Sequence, residues 1–209
     1  MSLENILWTV RLSGGDFGGI EVTDLNGRGP YKYKVNHLHM HGPAEHRIEG
    51  VQYDLEIHIV HELVGGPSEE EWKSYNETLA VIGFFFEKAE KSHPFIEKMR
   101  PLDFGPIGDI NFNELFGTLA SEVENMPLLS ADERQFYHYK GSLTNPPCAD
   151  VVNWILYKQV LPISEEHLTA FRSVWFPNLG GHGNFRECQP LCGRKIVRNF
   201  EKFDEKDHH

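Results

Sequence analysis

Six of the chain's twelve histidines fall between Asn36 and His61, in the stretch NHLHMHGPAEHRIEGVQYDLEIHIVH. Their type and spacing suit a metal ion. His37, His39 and His41 recur at period two, which puts them on one face of a β-strand. Glu56 and His58 share a face of a second strand by the same period. If the two strands pair antiparallel, cross-strand neighbours come within reach of one ion. Three imidazoles on two rigid strands, with a fourth position open, are what a catalytic Zn²⁺ requires. A carboxylate two residues before the third imidazole is placed to hold that ring's other N–H. A lone strand histidine is far more often an ordinary hydrogen-bonded residue; three at period two, then a fourth beside Glu56, form a much rarer pattern. Spacing alone leaves open whether the first pair is His37/His39 or His39/His41, and whether His58 or His61 completes the set.

The elements that must position these residues are mostly strands. Leu7 to Leu12 alternates as a strand, Gly19 to Thr23 is a short one, and Tyr31 to Val35 leads into the histidine strands. Gly65 to Tyr75 reads as a polar loop. Thr78 to Glu87, TLAVIGFFFE, is an apolar run of β-formers and reads as a strand buried on both faces. Glu133 to Ser142, Val151 to Tyr157 and Lys195 to Phe200 read as further strands. Short helices are expected at Ser92 to Met99 and Asn113 to Leu119. A longer one is capped by Ser164 and runs to about Trp175, with Leu168, Phe171 and Trp175 on its core face. Many strands with few short helices predict a mainly β (α+β) fold. It is one domain over 1–209, with 203–209 as a tail, built on a large central twisted, mostly antiparallel sheet with short peripheral helices.

Composition narrows the function classes. The chain has 209 residues, and 14 Phe with 4 Trp can fill a sizeable core. A net charge of −11 argues against nucleic acid and anionic membrane surfaces, which need a basic face. No apolar run reaches membrane-spanning length and no signal peptide opens the chain, so a soluble protein is expected. A mature secreted form would look the same, and the compartment stays open. The cysteines number three, Cys148, Cys188 and Cys192. The last two can pair only if their loop allows, and a free thiol is the competing reading.

Two more stretches join the histidines. His39-Met40-His41-Gly42-Pro43-Ala44-Glu45-His46 followed by Tyr53-Asp54-Leu55-Glu56-Ile57-His58-Ile59-Val60-His61 resembles the zinc-binding core of the α-class carbonic anhydrases. Tyr139-Lys140-Gly141-Ser142-Leu143-Thr144-Asn145-Pro146-Pro147-Cys148, with Val151-Val152-Asn153-Trp154 after it, is similar to that family's YxGSLTxPPC…VxW signature. Asn184 to Arg194 is similar to its NxRxxQPLxGR. The matches cover most of residues 31 to 200.

The resemblance implies a register and a chemistry. His39, His41 and His58 fall on the zinc ligands, Glu56 on the partner of His58, and Asn184 on the residue whose carbonyl holds a ligand histidine. His37 stands where the family usually has glutamine. Thr144 falls on the threonine that orients the nucleophile and Glu45 on the carboxylate that orients Thr144. Val60, Val81, Leu143, Val152 and Trp154 fall on the apolar wall that receives carbon dioxide. The implied activity is zinc-dependent reversible hydration of carbon dioxide to bicarbonate and a proton, with ester hydrolysis as a lesser alternative. A catalytically weak binding or structural subunit of a larger assembly, on the same fold, is the competing expectation. The family's N-terminal segment carries a histidine that relays protons; here Ile6 sits near its place and no histidine precedes His37. Slower, buffer-dependent turnover is therefore expected, together with a possible partner subunit completing the N-terminal side.

Overall fold

The computed structural model describes residues 2–5, 9–13, 18–99 and 135–200. The helix expected at Asn113 to Leu119, Ile6 and the tail 203–209 lie outside the described residues. The strands are β1 (Ser2–Asn5), β2 (Val10–Ser13), β3 (Gly19–Val22), β4 (Tyr31–His41), β5 (Arg47–Ile48), β6 (Val51–Gln52), β7 (Leu55–Gly65), β8 (Leu79–Ala89), β9 (Phe136–Gly141), β10 (Val152–Ser164) and β11 (Ile196–Arg198). Among the described residues, one nine-stranded sheet runs β1-β2-β4-β7-β8-β10-β9-β11, with β3 also paired to β4. Its pairs are antiparallel except β8 with β10, which is parallel. β5 and β6 form a small hairpin in the connection between β4 and β7. The expected mainly β architecture with short helices is what forms.

The long strands divide the interior by face. Leu38 and Met40 of β4, Leu55, Ile57 and Ile59 of β7, and Phe86 of β8 pack beneath the sheet against helix α3 (Glu165–Trp175). That helix forms where expected. Ser164 caps it by accepting from the His167 N–H, and Leu168, Phe171, Val174 and Trp175 are its buried stripe. On the other face, Val60, Val81, Phe85, Val152, Trp154 and Leu156 make a second apolar cluster, and this is the face the histidines share.

A one-residue bulge decides which face the histidines take. In β4 the buried residues are Tyr31, Tyr33 and Val35, then Leu38 and Met40. Val35 pairs with His61 but His37 pairs with Val60, so Asn36 is an extra residue in the ladder. The slip reverses the alternation. Odd-numbered side chains face the core before it, and even-numbered ones after it. Were Asn36 paired in an unbroken ladder, the histidines would point into the apolar layer under the sheet.

Three expectations change in detail. Gly65 to Tyr75 is not all loop: it contains helix α1 (Glu69–Lys73), where Ser68 accepts from the Glu71 N–H and three acidic residues fill the first turn. The helix expected from Ser92 is α2 (Pro94–Lys98), and its cap is His93. β10 continues to Ser164, well past Tyr157, because its second half keeps pairing with β8 after an irregularity between Leu156 and Val160. All three cysteines are free thiols, with Cys148 half-buried and the other two exposed. No helix among the described residues is long and apolar enough to cross a membrane.

Candidate metal centre

β4 and β7 bring the histidines together. His39 lies directly opposite His58, and His41 opposite Glu56. The ring centroids of His39, His41 and His58 are 4.8 to 5.2 Å apart. One nitrogen from each ring falls in a group within 4.8 Å of one another. His61 takes the opposite face. It is buried there, its Nδ1 donating to the carbonyls of Ile59 at 3.0 Å and Ala80 at 3.2 Å. The choice that spacing left open between His58 and His61 is therefore made by the side of the sheet each occupies.

The outer nitrogen of each ring is already engaged, and the partners set the tautomers. Asn36 donates through Nδ2 to Glu62 Oε1 at 2.8 Å, which turns its Oδ1 towards His37. His37 Nδ1 donates to that oxygen at 2.6 Å, so His37 Nε2 accepts from His39 Nδ1 at 3.1 Å. His41 Nδ1 donates to the Asn184 carbonyl at 2.7 Å. His58 Nε2 donates to Glu56 Oε1 at 2.7 Å. What remains is a lone pair on His39 Nε2, His41 Nε2 and His58 Nδ1. The His41 Nε2 atom is buried with no hydrogen-bond partner. An orphaned buried acceptor beside two other free imidazole lone pairs is a costly arrangement unless a cation completes it. The donor set, neutral nitrogen three times over, fits Zn²⁺.

Electrostatics favour ligand-ready rings at two positions. Burial, followed by the neighbouring imidazoles, pushes His39 far below the usual histidine range. Burial also lowers His41, although Glu45 pulls the other way. His58 differs: burial lowers it, but the Glu56 charge and hydrogen bond outweigh this and raise it. Burial would likewise raise Glu56, yet His46 and His58 hold it well below the carboxylate range.

Glu56 is the most heavily engaged group in the centre. It is fully buried and accepts four hydrogen bonds: the backbone N–H groups of Glu45 and His46, both at 2.8 Å, and the rings of His46 at 2.6 Å and His58 at 2.7 Å. His46 Nε2 in turn meets the Tyr139 hydroxyl at 2.6 Å. This link to His46 and Tyr139 was not singled out from sequence. His46 stands in the connection between strands, where alternation gives no facing, and Tyr139 is 93 positions away.

Asn184 clamps the end of β4. Besides its carbonyl bond to His41, its side chain accepts from the Gly42 N–H at 2.8 Å and donates to the Met40 carbonyl at 2.9 Å. Glu45 accepts the Arg186 N–H on Oε1 at 2.8 Å. Its buried Oε2 has no hydrogen-bond partner and lies 3.4 Å from His41 Nε2 and 3.9 Å from His58 Nδ1. Thr144 makes no hydrogen bond to it, though both line one cavity of about 860 Å³ with the three histidines. Val60, Val81, Leu143, Val152 and Trp154 supply the apolar wall of that cavity. Trp154 is fixed by its ring N–H donating to the Ser142 carbonyl at 3.1 Å.

Comparison with known proteins gives a consistent answer. A family model described as eukaryotic-type carbonic anhydrase matches residues 1–200. Alpha carbonic anhydrase 3 of Arabidopsis thaliana is 31% identical over 185 residues, which cover 88% of this chain and 57% of that protein. Dioscorin DB3L of Dioscorea polystachya is 30% identical, over 79% of this chain and 54% of its own length. The chain thus spans little more than half the length of these relatives. Among solved structures, a hyperthermostable carbonic anhydrase from a hydrothermal vent chimney aligns with a TM-score of 0.60 at 28% identity, covering 91% of this chain and 72% of that one.

Proposed function

The chain belongs to the eukaryotic-type carbonic anhydrase family, and from that premise we propose that it catalyses the reversible hydration of carbon dioxide to bicarbonate and a proton. Zn²⁺ is the cofactor, with His39 Nε2, His41 Nε2 and His58 Nδ1 as its ligands. Bound there, the ion supplies a Lewis acid that makes water nucleophilic at neutral pH. The single observation that supports this reading most is the convergence of three imidazole lone pairs whose opposite ring nitrogens are all engaged.

Each remaining residue has a part. Glu56, His37 and Asn184 keep the three rings in the tautomers that leave those lone pairs free. The attacking water gives a hydrogen bond to the Thr144 hydroxyl, which donates in turn to Glu45 Oε2, the oxygen without a partner of its own. That chain aims the water's lone pair at the substrate carbon, an effect of orientation. Carbon dioxide is small and apolar, and Val60, Val81, Leu143, Val152 and Trp154 give it a surface without charge.

The test is stopped-flow hydration of carbon dioxide with zinc content measured on the same sample and His39→Ala as control. One zinc per chain, with activity lost in the variant, supports the proposal. A second reading, a carbonic-anhydrase fold that binds rather than turns over, is favoured by one observation: Thr144 and Glu45 are not hydrogen-bonded to each other. Full zinc occupancy without activity would establish that reading. No zinc at all would overturn the metal centre.

A further inference from the structure

The same cavity holds a cation that the proposed chemistry does not use. Arg11 of β2 lies directly opposite His39 of β4. Cross-strand partners put their side chains on one face, so the guanidinium reaches into the cavity beside the histidines, and it is part of the lining. Among the described residues it makes no ion pair. One weak bond, Nη2 to Asn36 Oδ1 at 3.4 Å, is its hydrogen bonding among the described residues. Its Nε is buried with no protein acceptor. A buried N–H of a charged group left without an acceptor is costly, and a guanidinium presents its donors in a planar fork that matches the two oxygens of a carboxylate.

The surroundings reinforce this. The chain carries −11 overall, yet among the described residues this cavity is lined by Arg11 and Arg186 against a single carboxylate, Glu45. Arg186 is occupied, its Nη1 donating to Ser142 Oγ and the Leu143 carbonyl, both at 3.2 Å. Glu45 is turned to His41 and His58. Asn36 Oδ1, the one acceptor Arg11 touches, is already taken by His37.

We propose that Arg11 is an anion-holding residue of the cavity, binding a small planar monoanion of the carboxylate class, bicarbonate included, next to the metal centre. The inference deepens the proposed function, since bicarbonate is the product there, but the binding itself rests on Arg11. A cavity lined by a guanidinium with no ion-pair partner among the described residues draws anions in and slows their departure. Retention of product and strong inhibition by small carboxylates follow.

The experiment is an acetate titration of the full chain, first zinc-loaded and then after chelator treatment, followed at the Arg11 Nε–H resonance in the ¹⁵N–¹H spectrum. Arg11→Gln and Arg11→Lys are titrated alongside by competition with bicarbonate. A saturable shift that survives removal of zinc, with acetate affinity lowered about tenfold in Arg11→Gln and less in Arg11→Lys, is the expected result. A shift lost with the metal means an anion held by zinc alone and overturns the proposal, as does unchanged affinity in Arg11→Gln on the zinc-loaded chain. Saturable binding at Arg11 in a chain that does not hydrate carbon dioxide would sink the proposed function and leave this site standing.

Discussion

Replacing Glu56 by glutamine tests the centre at its most connected point. The carboxylate accepts two backbone N–H groups on one oxygen and two imidazoles on the other. An amide has one oxygen and one NH₂. Whichever way it turns, two buried donors face another donor and lose their acceptor. At about 1–3 kcal/mol for each buried donor left unsatisfied, the metal-free chain loses about 2–6 kcal/mol of stability. The remaining pair also loses charge assistance. On the metal side, His58 loses the anion that fixes its Nε2–H tautomer, which lowers zinc affinity about 10–100-fold, or about 1.4–2.7 kcal/mol. Urea unfolding of the metal-free protein reads the first number, and competition with a chromophoric chelator reads the second. A Glu56→Gln variant that unfolds at the wild-type midpoint and holds zinc within threefold of wild type would refute the reasoning. Glu56→Asp, which keeps the charge on a shorter arm, is expected to fall between.

Other perturbations act on different parts of the frame. Burial pushes His61 down to about 4 from an unfolded value near 6.5, so the folded chain binds fewer protons than the unfolded one in that window; its contribution is complete above pH 6.5 and is lost as pH falls towards 4. The loss is about 3 kcal/mol, and urea midpoints between pH 4 and 6.5 should lose about one proton's worth of slope in His61→Gln; an unchanged slope would contradict this. Gly83 lies opposite His58, and a Cβ there would sit 2.7 Å from Leu156 Cδ2 and 3.1 Å from Glu56 Oε1. Gly83→Ala is therefore expected to cost about 1–3 kcal/mol and to weaken zinc binding by displacing Glu56, measured by the same unfolding and chelator assays. Deleting Asn36 removes the bulge but leaves His37 directly after Val35 and still opposite Val60, so the histidines keep their face. A folded variant that still binds zinc, though less tightly for want of the Asn36 bond to His37, is expected, and loss of zinc binding with the cooperative unfolding transition would show that the bulge does more than set the phase.

The histidines were legible because period two is intact from His37 to His41, and Glu56 and His58 repeat it. The phase break that aims them was also written in the chain, as apolar residues at 31, 33 and 35 followed by 38 and 40. It is visible only when the whole of β4 is taken as one strand. The choice between His58 and His61 was not legible from spacing, since alternation separates the two faces without saying which one is wet; the family resemblance alone assigned His58. Helix α1 carried its signal in Ser68 and the three glutamates after it, but five residues are too few for periodicity to register. Arg11 was beyond reach for a different reason. Its place beside His39 depends on the pairing of β2 with β4, and nothing local to either strand specifies that register. The absence of a bond between Thr144 and Glu45 turns on side-chain placement, to which spacing is blind.

The supports of the two ligand strands arrive from very different chain distances. β4 and β7 are joined by a connection running only from Gly42 to Asp54, and closing a short loop costs little entropy. The carbonyl that orients His41 comes from a residue 143 positions away. During refolding, the hairpin bearing the proposed ligand nitrogens can therefore close long before Asn184 docks on it. Zinc capture would come first as a loose, exchangeable encounter and tighten only when the C-terminal segment arrives. Two phases of zinc uptake in a stopped-flow refolding experiment are expected, the slower one sensitive to Asn184→Ala. A single phase indifferent to that change would mean that the ion waits for the finished fold.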